Sequence, residues 1–187
     1  MPLDQVMEHS PEELAQRASE GCADSSAALV ELFHPRIFNY LVRLTGNPTD
    51  AADLTQETFV KAFASLHRFD PGRRFSTWLF TIAKRTSCNH LRSHRPHLEL
   101  DDTVADPGPG PDGVAIERDD SIWRLARRLK PREYEALWLH YGEDLPVEDT
   151  ARVLRITTIH TKVILHRARR KLGKLIESET NLDLHPL

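Results

Sequence analysis

Residues Asp50 to Phe63 read DAADLTQETFVKAF, and this stretch decides the fold class. Asn47 is placed to cap a helix, Pro48 suits its first turn, and Asp50 sits near the positive end of the helix dipole. Asp50, Asp53, Glu57 and Lys61 then recur at three- and four-residue spacing along one face, with Gln56 beside them. Leu54, Thr58 and Ala62 form another face, and Phe59, Val60 and Phe63 thicken the apolar side. The pattern predicts an amphipathic helix over Asp50–Leu66. An aromatic and basic stretch, RFDPGRRFSTWLFTIAKR, follows at Arg68–Arg85.

Outward from there the chain reads as helix throughout. Ser10-Pro11-Glu12-Glu13 is a capped helix start with acids in the first turn. A helix over Ser26–Thr45 carries Leu29, Leu32, Phe33, Ile37, Tyr40, Leu41 and Leu44, with Pro35 expected to bend it or shift its start. Another is predicted over Ser76–Ser93, anchored by Trp78, Leu79, Ile82, Ala83 and Leu91. Later helices are predicted over Asp120–Leu129, Pro131–Tyr141, Val147–Leu154 and Thr157–Ile176. No period-two alternation or hairpin signal argues for strands. The class is all-α.

Charge is unevenly placed. The formal net charge is only −3 over 187 residues, but Arg68–Arg95 holds seven cations against the one acid Asp70, and Lys162–Lys174 holds six with no acid. Between them, Glu99–Asp120 is acidic and dense in Pro107, Gly108, Pro109, Gly110, Pro111 and Gly113, which reads as a flexible linker between two domains. Two basic blocks on an acidic tether point to a polyanionic partner. Cys22 and Cys88 lack a Cys-x-x-Cys spacing and read as free thiols of a reducing, cytoplasmic protein. No run of 18 apolar residues and no apolar signal core predict neither membrane insertion nor export.

The second half has the rhythm of a helix-turn-helix. Pro131 opens a helix with Tyr134, Leu137, Trp138 and Tyr141, and Gly142 ends it. A short helix with Val147, Ala151 and Leu154 leads to a turn at Arg155-Ile156-Thr157. Thr157 or Thr158 then caps a longer helix that runs into the basic cluster. In such modules the start of the last helix enters the major groove while cations hold phosphates.

Together, DAADLTQETFVKAF, FSTWLFTIAKR (residues 75–85), LKPREYEALWLHYGEDLPVEDTARVL (residues 129–154) and LHRARRKL (residues 165–172) resemble a bacterial RNA polymerase sigma factor of the extracytoplasmic-function (ECF) type. The resemblance spans roughly Ala27 to Leu172. It implies an N-terminal extension at 1–25, a region-2-like helical domain at 26–97, the linker at 98–118, a region-4-like domain at 119–178 and a tail at 179–187. It further implies that Asp50, Asp53, Leu54, Gln56, Glu57 and Phe59 dock on the β′ clamp coiled coil of core RNA polymerase. Phe75, Trp78 and Phe80 would offer aromatic surfaces at the −10 promoter element, with Phe80 assigned to the core and Trp78 left between core packing and base stacking. Arg73, Arg74, Lys84, Arg85, Asn89 and Arg92 would contact DNA there, with His90 as a further donor. Arg132, Thr158, His160, Lys162, His166, Arg167 and Arg169 would meet the −35 element, and the same domain would touch the β flap. An anti-sigma factor is implied as regulator.

The recognition segment departs from the family pattern. The usual Leu-Gly-Ile-Ser turn reads Leu154-Arg155-Ile156-Thr157, and a left-handed arginine costs about 1 kcal/mol or more, which predicts a rearranged turn. The usual Gly-Thr-Val-Lys-Ser-Arg-Leu reads Ile159-His160-Thr161-Lys162-Val163-Ile164-Leu165. Either the preferred −35 sequence is altered, the favoured reading, or the domain binds DNA weakly and serves another partner. Restoring arginine at Ile164 is expected to tighten DNA binding.

Other chemistries find little support. His90, His94 and His97 lie near one another, but no His-Glu-x-x-His or cysteine-rich frame marks a metal site, and no cofactor is called for. No phosphate loop or nucleophile elbow suggests catalysis. Ser87-Cys88-Asn89-His90 diverge by about 100° per residue on a helix and cannot converge on one substrate. Two non-enzyme rivals remain: a sigma-like regulator that binds polymerase without reading promoters, and a DNA-binding regulator that never engages polymerase.

Overall fold

The computed structural model describes residues 9–94 and 120–183; the acidic linker, His97 and both chain ends lie outside them. Every regular element among the described residues is helical. They divide into two units, one on either side of residue 99.

The first unit has four α-helices: α1 Pro11–Ser19, α2 Ala23–Thr45, α3 Pro48–Ala64 and α4 Phe75–His94, with a 3-10 turn Leu66–Arg68 after α3. Helix α1 starts at the expected capping box. The Glu13 N–H donates to Ser10 Oγ at 3.2 Å and the Ser10 N–H to Glu13 Oε2 at 2.8 Å. These bonds favour the carboxylate and hold the Glu13 carboxyl below its ordinary range. Helix α2 runs unbroken past Pro35 and starts at Ala23, three residues earlier than expected. Pro35 lies on its exposed side, so the missing N–H bond falls where water can compensate. Gly46 ends the helix at φ 69°, donating its N–H to Val42 O at 2.8 Å. Asn47 Oδ1 accepts from the Thr49 N–H at 2.9 Å, and α3 therefore begins directly after its cap.

Phe33, Ile37, Tyr40 and Leu41 from α2 meet Leu54, Phe59 and Ala62 from α3 and Phe75, Leu79, Phe80 and Ala83 from α4. Ring contacts order this core, with Phe33–Phe75 and Tyr40–Phe80 edge-to-face at 5.3 and 5.2 Å. Arg36 lies over the Phe33 ring at 4.8 Å. Cys22 and Cys88 are free thiols, as expected. The Ser25 hydroxyl donates to Cys22 Sγ at 3.2 Å and lowers that thiol's pKa.

The second unit comprises α5 Asp120–Ala126, α6 Pro131–Leu137, α7 Val147–Leu154 and α8 Thr158–Asp183. The helix expected over Pro131–Tyr141 changes after Leu137 into a wider π turn, Trp138–Gly142. At Gly142 a Cβ would stand 3.0 Å from the Trp138 ring, a tight approach that glycine avoids. Trp138 packs edge-on against Trp123 at 4.7 Å, joining α5 to this turn. Helix α6 is pinned to α8 by Lys171, whose Nζ donates to both Glu133 carboxylate oxygens at 2.7 and 2.9 Å.

Candidate polymerase and nucleic-acid interfaces

Helix α3 sorts the residues assigned to polymerase docking into two groups. Asp53, Gln56 and Glu57 are exposed and Asp50 is half-exposed, whereas Leu54 is 2% and Phe59 7% exposed. Leu54 and Phe59 therefore belong to the hydrophobic core and hold the face in place without presenting a surface. Phe59 stacks on Phe63 at 6.1 Å and on His34 at 6.3 Å. Val60, read from the sequence as part of the apolar side, is 62% exposed and lies among Asp53, Gln56 and Glu57 on the outward stripe. Helical geometry explains both results. Val60 follows Gln56 by four residues and Glu57 by three, while Phe59 follows buried Thr55 by four. Glu57 pairs with Lys61, whose Nζ reaches Thr86 Oγ1 on α4 at 3.5 Å. Asp50 Oδ2 lies 3.6 Å from Nε2 of His90 on α4, so His90 faces an acid on α3.

The basic segment forms a short loop followed by α4. Asp70 organises the loop: its Oδ1 accepts from the Gly72 N–H at 3.0 Å and its Oδ2 from Arg73 Nε at 3.2 Å. Arg73 and Arg74 are exposed at the mouth of α4. The helix start is supplied with an acceptor from a distant element, since the Phe75 N–H donates to Glu12 Oε1 on α1 at 2.8 Å. Local sequence gave no sign of that bond, because its partners are 63 residues apart. Phe75 is 1% exposed and Phe80 fully buried. Phe80 is thus a core residue as assigned, and Phe75 is corrected from an aromatic surface to a core residue. Trp78 is half-buried, 5.4 Å from Phe69 and 5.6 Å from Phe75. Arg85, Asn89 and Arg92 are exposed on α4, and Lys84 is half-buried.

In the second unit α7 and α8 are joined by a tight turn. Arg155 takes φ 56° and ψ 42°, the left-handed region. The Ile156 N–H donates back to Ala151 O at 3.1 Å, closing a Schellman-type end without glycine. The turn expected to rearrange therefore keeps its left-handed residue and absorbs the cost. Thr157 is the cap of α8, with its Oγ1 accepting from the His160 N–H at 3.2 Å. Thr161, Ile164, Leu165 and Ala168 form the buried stripe of α8. Thr161 satisfies its hydroxyl by donating to Thr157 O at 3.1 Å, which makes the polar residue tolerable inside. Ile164 is 7% exposed. An arginine there would enter the core instead of lying on the exposed side of the helix, the opposite of the placement expected from the sequence. His160, Lys162, His166, Arg167 and Arg169 are exposed, while Thr158 and Arg132 are half-buried. Arg169 also donates to the Tyr141 hydroxyl at 3.3 Å.

Among the described residues no cluster of three or more His, Cys, Asp or Glu could hold a metal ion. Among them, too, no helix is long and apolar enough to cross a membrane.

Comparison with known proteins assigns both units. Residues 29–97 match the Sigma-70 region 2 family and residues 119–172 the Sigma-70, region 4 family. The RNA polymerase sigma factor CarQ of Myxococcus xanthus is 30% identical over 165 residues, covering 86% of this chain and 94% of CarQ. The ECF RNA polymerase sigma factor BldN of Streptomyces coelicolor is 30% identical over 174 residues, covering 89% of this chain; the chain spans 66% of BldN's length. A fold likeness is seen to the sigma factor RpoE of Bartonella quintana, solved in complex with the anti-sigma factor NepR. Its TM-score is 0.60 at 23% identity, covering 79% of this chain and 94% of that one. With α3 and α8 carrying opposite charge on separate helical units, and with both units matched in order, this chain belongs to the ECF group of the sigma-70 family of RNA polymerase sigma factors.

Proposed function

We propose that the protein binds core RNA polymerase through the first unit and directs initiation at promoters read by both units. The observation that carries this reading is the opposition of two exposed helix faces. The outward stripe of α3 bears Asp53, Gln56, Glu57 and Val60, whereas that of α8 bears His160, Lys162, His166, Arg167 and Arg169. An acidic stripe with one apolar residue suits a basic-rimmed coiled coil such as the β′ clamp helices, where apolar area supplies affinity and charge supplies register. A cationic helix behind a tight turn suits duplex DNA at the −35 element. On the first unit, Arg73, Arg74, Lys84, Arg85, Asn89 and Arg92 line the loop and α4, and half-buried Trp78 keeps part of its side chain open to an unpaired −10 base. Arg132 supports the second unit's DNA face, and the β flap is a further contact for that unit.

The mechanism is non-covalent, and no residue acts as a catalyst. The sigma factor gives polymerase a promoter address and stabilises the melted strand. Residues 26–97 and 119–178 serve as its two working domains, 98–118 as the connector that sets their reach, with 1–25 and 179–187 as flanking segments. It acts in the cytoplasm, where polymerase is found. Control by an anti-sigma factor is part of the reading, supported by the fold likeness to a sigma factor solved with one.

Transcription in vitro, with core polymerase, the full chain and a panel of promoter fragments, tests the proposal. Specific start sites are expected only when the protein is present. Core binding without initiation would favour a polymerase-binding regulator, and no core binding would overturn the reading.

A further inference from the structure

Helix α8 shows an outward arrangement that its charge alone does not account for. Its buried stripe is Thr161, Ile164, Leu165 and Ala168. At about 100° per residue, the side chains directed most squarely away from that stripe are those of Ile159, Val163, His166 and Arg170. His160 and Arg167 flank this line on one side, and Lys162 and Arg169 on the other. The two residues nearest the start of the helix are thus large and apolar, and they stand in solvent. Ile159 is 78% and Val163 40% exposed.

We propose that Ile159 and Val163 read the C5-methyl groups of thymines in the major groove, making them specificity-determining residues of the upstream promoter element. This rests on the reading of α8 as a DNA-recognition helix. Major-groove base edges are otherwise sets of hydrogen-bond donors and acceptors, and the thymine methyl is the apolar group an isoleucine or valine side chain can match. The flanking charge selects this occupant. Cations stand on both sides of the apolar line, the arrangement needed where the two phosphate backbones border a groove. No acid occurs from Thr157 to Lys174. The helix start is rigid, because the Thr157 cap fixes the His160 N–H at 3.2 Å and the Ile156 N–H is tied to Ala151 O at 3.1 Å. Ile159 and Val163 are one turn apart, about 6 Å along the axis. A base step rises about 3.4 Å, so the pair addresses thymines one to two base pairs apart.

The test starts from duplexes selected by the full chain out of a randomised pool. Each thymine of the preferred duplex is then replaced by deoxyuridine, which removes the methyl and leaves every hydrogen bond. Wild-type protein is expected to bind about four-fold more weakly at each of two positions one to two base pairs apart, the effect of one lost methyl contact. Ile159→Ser and Val163→Ser should each abolish the deoxyuridine penalty at one position only. Neither residue is buried, and unchanged circular dichroism of both variants serves as the control on folding. A tightly bound duplex that tolerates every replacement would overturn the inference while leaving DNA binding intact. So would an Ile159→Ser protein that weakens thymine and deoxyuridine duplexes equally, or one that loses core polymerase affinity instead. Failure to select any duplex would overturn the DNA reading itself.

Discussion

Helices α3 and α8 are both amphipathic, and each buries one stripe in a small helical unit, but they are set in place by different means. Helix α3 is held by its neighbours: Leu54 and Phe59 enter an aromatic core, Asp50 lies beside His90, and Lys61 reaches Thr86. Helix α8 buries a narrower stripe of Thr161, Ile164, Leu165 and Ala168 and is further set by its own entry, a left-handed Arg155 and a Thr157 cap, and by Lys171 bound to Glu133. A face supported by a broad core tolerates changes to its exposed charges. A face launched from a strained turn is sensitive to the turn. The acidic stripe can thus be altered with little effect on the fold, whereas the basic helix depends on a few residues outside its contact surface.

The largest effect is expected in the core behind α3. Phe80→Ala removes a fully buried ring that meets Tyr40 at 5.2 Å. It should destabilise the first unit by about 3–5 kcal/mol in urea denaturation. A loss below about 1 kcal/mol would mean that this core is not what holds α3 in place.

Next comes Ile164→Arg in the second unit. A guanidinium placed at a 7% exposed site loses hydration without a partner, and the cost should be about 2–3 kcal/mol. Denaturation of the second unit and a gel-shift titration should both deteriorate. Tighter DNA binding with unchanged stability would restore the sequence-based alignment and remove the buried stripe described for α8.

Arg155→Gly is the smallest and has the opposite sign. Glycine accepts φ 56° without the Cβ penalty, so the second unit should gain about 1 kcal/mol. A loss of stability would show that the Arg155 side chain contributes more than its backbone costs.

These contrasts also mark what the sequence made readable. Helix existence, the Ser10 and Asn47 caps and the Val147–Leu154 helix follow from local spacing, and local spacing survives folding. The outward side of Val60 did not follow, because adjacent apolar residues such as Phe59 and Val60 point about 100° apart on a helix and only packing decides which is buried. The same holds for Val163 and Ile164. Pattern matching aligned Ile164 with an exposed arginine, yet the buried line through Thr161, Leu165 and Ala168 draws it inward. The Glu12 acceptor for the Phe75 N–H was invisible for another reason: it depends on a tertiary contact across 63 residues. Arg155 shows the converse. Its left-handed cost was foreseeable, yet the turn keeps that conformation and closes with the Ile156 N–H on Ala151 O.

The proposed docking site for polymerase is the exposed acidic stripe of α3. It is tested most directly by titrating core RNA polymerase with fluorescently labelled full chain, comparing wild type with Asp53→Lys/Glu57→Lys. Both side chains are exposed and neither enters the core, so the helical circular dichroism should be unchanged. Two acids turned to cations against a basic-rimmed partner should weaken binding by about thirty-fold or more. Undiminished affinity in a folded double variant would contradict the account and place the docking face elsewhere.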